Sequence, residues 1–303
     1  MHDILVITGP TATGKTRLAA LVADRLGGEV ISADSRQVYR GMDIGTGKDL
    51  SDYTVDGRKI PVHMVDIVDA GYRYNVYEYQ RDFLKVFEDM SARDVFPVVC
   101  GGSGMYVDSI VSGYRLVQVP VNATLRALLA GRSLEELTEI LSQYKSLHNT
   151  TDVDTVKRAV RAIEIADYYG GHPVDDSPFP VRNPLVTAVF VDRETRRQRI
   201  SDRLRSRLEE GMIEEVQRLL AGGIHPDDLI YYGLEYKYIA LYLMNRLPRE
   251  EMVQKLEVEI HRFAKRQMTW FRGMERRGIA INWIDGQLLD NEKVEILLKL
   301  LDH

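Results

Sequence analysis

Two patterns of apolar residues alternate along the chain. Short, continuous runs rich in β-branched residues occur at 4–7 (ILVI), 29–33, 61–67, 95–100, 185–191 and 279–284. Each is too short for a helix, as expected of strands covered on both faces of a parallel sheet. Between them the apolar positions recur with helical spacing. In 16–26, Leu18, Leu21, Val22 and Leu26 share a face, and in 77–90 Phe83, Val86, Phe87 and Met90 do. Further helices are expected at 105–111, 123–129, 133–144, 155–169, 195–221, 235–245 and 249–276, with a short one closing the chain. Residues 41–50 and 222–233 read as loops. Strand and helix alternate to about residue 112, no strand signal occurs in 113–184, and the alternation resumes from 185. The pattern predicts an α/β core with a parallel sheet flanked by helices, made of 1–112 and 185–303, and a small all-helical insertion at 113–184. A Pro/Asp-rich connector ends the insertion.

Composition narrows the class. The 303 residues carry a formal net charge of −5 and one cysteine, Cys100. A lone cysteine excludes an intramolecular disulfide and a cysteine-based zinc site, and suits a reducing cytoplasm. No apolar run approaches the length of a membrane span, and the first strand begins without a signal-like segment. The charge is uneven. Seven arginines fall between Arg193 and Arg207, and a second basic stretch runs from Lys255 to Arg277. Local basic surface of this kind suits phosphate groups even on an acidic chain.

The strongest chemical signal follows the first strand. Gly9-Pro10-Thr11-Ala12-Thr13-Gly14-Lys15-Thr16 fits G-x-x-x-x-G-K-[ST] between a strand and a helix, the setting a phosphate-binding loop requires. Glycines let the backbone curl so that its N–H groups face an anion, and the helix N-terminus adds positive potential. Lys15 would meet the terminal phosphates and the Thr16 hydroxyl would ligate Mg²⁺. The loop most often holds ATP or GTP. Asp34, just past the second strand, lies on the edge where open α/β sheets bind ligands, as a Mg²⁺ ligand, a proton acceptor or a helix cap. Ser35 and Gln37 are ligand or turn residues. Gly101-Gly102-Ser103-Gly104 ends another strand as a second glycine loop, or as a turn with Ser103 as N-cap. No clear Walker-B acid ends a strand: Cys100 stands there, as a small core residue, and Asp66 has a mid-strand context. This weakens an ATP-hydrolysing reading. His63 reads as a satisfied core histidine. Arg199 and Arg203, four apart, share a helix face that suits a pyrophosphate or a nucleic-acid backbone. In 261–272 basic residues interleave with Phe263, Trp270 and Phe271.

Taken in order, GPTATGKT (9–16), SADSRQVY (32–39), DIGTGK (43–48), GGSGMY (101–106), DTVKRAVRAIEI (154–165) and FAKRQMTWFR (263–272) resemble the tRNA dimethylallyltransferases, also called tRNA isopentenyltransferases. The resemblance covers nearly the whole chain and implies a P-loop core with a helical insertion. It implies transfer of a dimethylallyl group from dimethylallyl diphosphate to N6 of an adenine next to the tRNA anticodon (position 37). The P-loop would then hold a pyrophosphate leaving group, with Mg²⁺ at Thr16 as cofactor. Lys15 with Arg199 or Arg203 would neutralise the departing charge, and Asp34 would accept from the adenine amino group with Ser103 beside it. The target base would flip out of its stack. The tRNA anticodon stem-loop would lie between core and insertion, touching Asp34, Ser35, Arg36, Gln37, Ser103, Arg126, Lys157, Arg158, Arg161, Lys265, Arg266 and Gln267. A monomer without membrane attachment is expected. Departures from the family pattern fall on the tRNA side. Asp49 replaces a Pro, HNTTDVD replaces an Asp-Pro pair, Glu235-Tyr236-Lys237-Tyr238 replaces Gly-Tyr-Lys-Glu, and Arg207 replaces a Met. An adenylate isopentenyltransferase acting on free AMP, ADP or ATP, a P-loop kinase, and a tRNA-binding protein without activity are the competing readings.

Overall fold

The computed structural model describes residues 2–113, 115–144, 153–172 and 179–302. These form two compact units, one of Met1–Tyr114 with Phe179–His303 and one of Arg115–Pro178.

The first unit is built on a sheet of β1 (Ile4–Thr8), β2 (Glu29–Ser32), β6 (Val62–His63), β8 (Pro97–Cys100), β9 (Pro184–Phe190) and β10 (Asn282–Asp285), in the order β10-β9-β1-β8-β2-β6. Every pairing in it is parallel. The continuous apolar runs follow from burial on both faces. Ile4, Val6, Ile31, Val99 and Val186 join one core layer, while Leu5, Ile7, Val30, Val98 and Leu185 join the other. Helix α1 (Lys15–Leu26) packs its Leu18 and Val22 into the second layer. The helices α2 (Val76–Ala92), α3 (Gly104–Val111), α7 (Arg193–Glu209), α8 (Met212–Ala221), α9 (Pro226–Tyr232), α10 (Leu234–Leu243) and α11 (Arg249–Arg276) contribute to the first, and α12 (Asp290–Asp302) to the second. Two small pairs lie outside the main sheet, β3 (Tyr39–Arg40) with β7 (Val68–Asp69) and β4 (Thr54–Val55) with β5 (Arg58–Lys59).

Register fixes the functional edge. Ile7 of β1 and Ser32 of β2 both pair with Cys100 of β8. The three strands therefore end level, and the segments that follow them, 9–16, 33–38 and 101–103, emerge side by side. Two of them pass neighbouring backbone so closely that they need glycine. A Cβ on Gly9 would lie 2.3 Å from the Val189 carbonyl oxygen, and one on Gly101 2.2 Å from that of Ala33. Gly9 also has φ 131, a conformation that side chains resist.

Several expected elements differ. The strand expected over 61–67 shrinks to Val62–His63, because Met64 (φ 65) and Asp66 (φ 55) take left-handed backbone that no strand sustains. Asp66 is thus a turn residue. His63 sits on the edge strand, not in the core, with Nε2 2.7 Å from Glu29. The helix expected over 195–221 is two helices, broken where Gly211 turns to φ 100. The expected loop 222–233 contains α9, whose Pro226 lies in the first turn and whose N-cap His225 accepts from the Asp227 N–H.

The second unit holds α4 (Ala123–Leu129), α5 (Leu134–Tyr144) and α6 (Val156–Gly171) around Leu129, Leu137, Leu141, Ala159 and Ile163. Asn122 and Thr155 cap α4 and α6 through their side chains. Glu164, almost fully buried, joins α6 to α4. It accepts from the Asn122 N–H at 2.7 Å, from Arg126 at 2.9 Å and from Arg161 at 2.5 Å. The HNTT segment and residues 173–178 of the connector lie outside the described residues.

Candidate active site

One pocket opens at the level strand ends. The P-loop (Thr11–Thr16), Asp34–Gln37, Gly45–Gly47, Cys100–Gly102, Arg203, Arg207 and Gln267 line it. The P-loop is held from inside and outside. Lys15 Nζ donates to the Pro10 carbonyl at 2.7 Å, and the Thr13 hydroxyl to the same oxygen at 3.0 Å. Ala12 carries φ 64 without being glycine, local strain that the surrounding contacts maintain. Gln267, buried on α11, accepts the Thr11 N–H at 2.9 Å and donates to the Gly102 carbonyl at 2.8 Å. It ties the two glycine loops together.

Asp34 sits on a turn and not at a helix start. Its Oδ1 accepts the Arg36 N–H at 2.9 Å, and no helix follows before residue 50. Ser103 occupies the N-cap of α3 but makes no capping bond. Its Oγ instead accepts the Ser35 N–H at 2.9 Å and meets the Ser35 hydroxyl at 3.1 Å. The second glycine loop therefore pins the turn that carries Asp34. Gln37 is buried and spans the turn from inside, meeting Ser32 at 3.2 Å and donating to the Gly47 carbonyl at 3.3 Å. Arg36 pairs with Glu235 at 3.0 Å and lies 5.4 Å over the Phe263 ring.

The electrostatics match an anion site. Burial pushes the Lys15 ammonium down to about 8, with Cys100 and Asp34 opposing and Arg203 assisting. The same burial lifts the Cys100 thiol to about 12, so it is neutral and no nucleophile. Burial also raises Asp52 on the pocket wall. Of the two arginines expected near a diphosphate, Arg203 lines the pocket. Arg199, on the same face one turn nearer the helix start, is exposed and does not line it.

The remaining expected RNA contacts divide. Lys265 and Arg266 are exposed on α11, and Lys157 and Arg158 on α6. Arg158 pairs with Asp154 at 2.5 Å. Arg126 and Arg161 are committed to Glu164 and hold their unit together. Sequence reasoning missed the support of loop 43–48. Glu215 of α8, buried, accepts the N–H groups of Asp43, Ile44 and Gly45 at 2.8, 2.7 and 3.1 Å and the Tyr236 hydroxyl at 2.7 Å. Lys48 is buried with its ammonium 2.6 Å from Asp43 and 2.5 Å from Asp66. A short helix with two acids in its first turn, Glu214 and Glu215, gives no sequence signal for such a contact. A glycine-rich loop containing a lysine gave a partial one.

Residues 37–274 match the family described as IPP transferase. The chain is 59% identical over 300 residues to tRNA dimethylallyltransferase 2 of Bacteroides fragilis, covering 99% of this chain and 98% of the relative. It is 55% identical over 302 residues to tRNA dimethylallyltransferase 1 of Parabacteroides distasonis, with 100% and 98% covered. The chain belongs to the IPP transferase family. Its fold agrees with solved members. The tRNA isopentenylpyrophosphate transferase of Bacillus halodurans superposes with a TM-score of 0.69 at 29% identity over 100% of both chains. A eukaryotic dimethylallyltransferase acting on tRNA shares the fold at TM-score 0.74 and 21% identity, over 94% of this chain and 74% of its own. The P-loop lies outside the matched stretch, so in this IPP transferase it is the pocket that joins residues 11–16 to the matched segments. Among the described residues no helix is long and apolar enough to cross a membrane.

Proposed function

We propose that this IPP transferase moves a dimethylallyl group from dimethylallyl diphosphate to N6 of adenine 37, beside the anticodon of tRNA. The observation that carries the reading is the opening of Asp34 and Lys15 into one pocket, on a turn and a loop that Ser103 and Gln267 hold in place. The names borne by relatives similar over the full chain support the same reaction.

In this reading the P-loop N–H groups, Lys15 and Arg203 bind the diphosphate. The amino nitrogen of the extruded adenine attacks C1 of the dimethylallyl group. The C1–O bond breaks, its electron pair leaves with diphosphate, and an N6 proton passes to the Asp34 carboxylate. The cationic wall stabilises the charge that grows on the leaving oxygen. Among the described residues no group of three His, Cys, Asp or Glu is gathered to hold a metal unaided. The donor set, a Thr16 hydroxyl beside a phosphate loop, fits Mg²⁺ held largely by the diphosphate itself. When bound, the ion would neutralise diphosphate charge. The exposed Lys265 and Arg266 on α11, and separately Lys157 and Arg158 on α6, offer contacts to the phosphates of an anticodon stem-loop.

The test is incubation of the protein with dimethylallyl diphosphate, Mg²⁺ and either bulk tRNA or AMP, followed by mass analysis of nucleosides. N6-prenylated adenosine in tRNA alone is expected. Product on AMP alone overturns the acceptor, and ATP turnover without prenyl transfer overturns the reaction.

A further inference from the structure

Arg207 lies one helical turn beyond Arg203 on α7, and its Nη2 is buried without a hydrogen-bond partner among the described residues. Both guanidinium groups press on Gly47. A Cβ placed there would lie 1.7 Å from Arg207 Nη2 and 2.0 Å from Arg203 Nη2. Two like charges thus sit side by side in a partly desolvated place. The acids nearby, Glu235 and Asp49, compensate them only in part. Asp49 reaches Arg203 only at 3.9 Å and is itself well exposed, and Glu235 is committed to Arg36 at 3.0 Å. Burial, then the Arg203 charge, pulls Arg207 down to about 10. A buried cation beside a second cation is unfavourable in the free protein, and it marks a place prepared for an anion.

The pocket that Arg207 lines also contains the P-loop and Lys15. A diphosphate carries oxygens on two phosphorus atoms, so one phosphate can fill the backbone nest while the other meets two guanidinium forks. We propose that Arg207 is a second guanidinium ligand of the diphosphate, gripping with Arg203 the phosphate not held by the P-loop. This deepens the function proposed above and rests on it for the identity of the diphosphate ester. The bound pair of forks would make the site select diphosphate over monophosphate.

The test is calorimetric titration of the full chain and its Arg207→Met and Arg207→Lys variants with inorganic pyrophosphate and with inorganic phosphate. The wild type is expected to bind pyrophosphate at least about tenfold more tightly than phosphate. Arg207→Met should weaken pyrophosphate about 10- to 100-fold and phosphate much less, without lowering the melting temperature of the free protein, because a buried charge compensated only in part is removed. Arg207→Lys, which keeps the charge and loses the fork, should fall between, and it serves if the methionine variant folds poorly. In transfer assays the KM for dimethylallyl diphosphate should rise by the same factor while the KM for tRNA holds. Pyrophosphate affinity within twofold of wild type in both variants overturns the proposal, and does so even if the wild type prenylates tRNA. If the wild type transfers nothing to tRNA yet loses pyrophosphate on Arg207 substitution, the anion site stands and the reaction proposed above falls.

Discussion

The side-chain oxygen of Gln267 takes the Thr11 N–H at 2.9 Å, so a residue near the end of the longest helix sets the conformation of the phosphate loop at the other end of the chain. Its amide nitrogen is as firmly used, on Gly102. Gln267→Ala should leave both groups unpaired, at a cost of about 1–3 kcal/mol in stability. The KM for dimethylallyl diphosphate should rise more than the KM for tRNA. Chemical denaturation and steady-state kinetics check the two parts. A variant that loses tRNA affinity alone would return Gln267 to the RNA side.

Asp34 accepts the Arg36 N–H through Oδ1, a bond that an asparagine can keep. Asp34→Asn should therefore preserve the turn and both substrate affinities while kcat falls about 10²- to 10⁴-fold, the range of a lost general base. Asp34→Ala should abolish transfer with little loss of tRNA affinity. Filter binding beside single-turnover transfer separates these effects. Equal loss of binding and rate would make Asp34 structural.

Lys15 titrates near 8 in the folded protein against an ordinary 10.5. Between those values the unfolded chain holds a proton that the folded chain has released, so the Lys15 contribution to stability rises with pH across that window. Below pH 8 the folded protein bears the full cost of the buried charge, on the order of 3 kcal/mol. Stability of the free protein measured from pH 7 to 10 should show this rise, and Lys15→Met should flatten it. Pyrophosphate affinity should run the opposite way, falling up to about tenfold per pH unit above 8 as the ammonium is lost. Affinity unchanged between pH 7 and 9.5 would remove Lys15 from the anion site.

Glu164 behaves as a carboxylate held low. Its burial alone would raise it, but Arg126, Arg161 and the Asn122 N–H overcome this and hold it down to about 2. Its contribution is present above pH 4.5 and is lost as pH falls through about 2. Glu164→Ala removes the acceptor of the Asn122 N–H and of two half-exposed arginines, and should cost about 1–3 kcal/mol in the helical unit. Hydrogen exchange in α4–α6 should accelerate while exchange in the β-sheet holds. Uniform acceleration in both units would show that the effect is not local.

The six strand regions, the P-loop and the helical stretch between the strands were legible from periodicity, because strands covered on both faces and amphipathic helices leave different apolar patterns. What failed was local. Gly211, Met64 and Asp66 adopt left-handed backbone, which breaks a helix and a strand that their apolar neighbours would continue. The short helix Pro226–Tyr232 hid among turn-forming residues because it spans only two turns.

By itself the sequence determined the phosphate loop, Asp34 at a strand end, the second glycine loop and the family resemblance, since each depends on residues adjacent in the chain. Only the tertiary structure decided that Ile7 and Ser32 share the register of Cys100, which brings those three loops to one edge. It also decided that Gln267 and Glu215 serve loops more than 150 residues away, that Arg203 faces the pocket where Arg199 does not, and that Arg207 Nη2 is buried beside it with no hydrogen-bond partner among the described residues. These are matters of which groups meet after packing. A helical period records which face of a helix is apolar, and it carries no record of which distant backbone N–H or anion a polar side chain on that helix will reach.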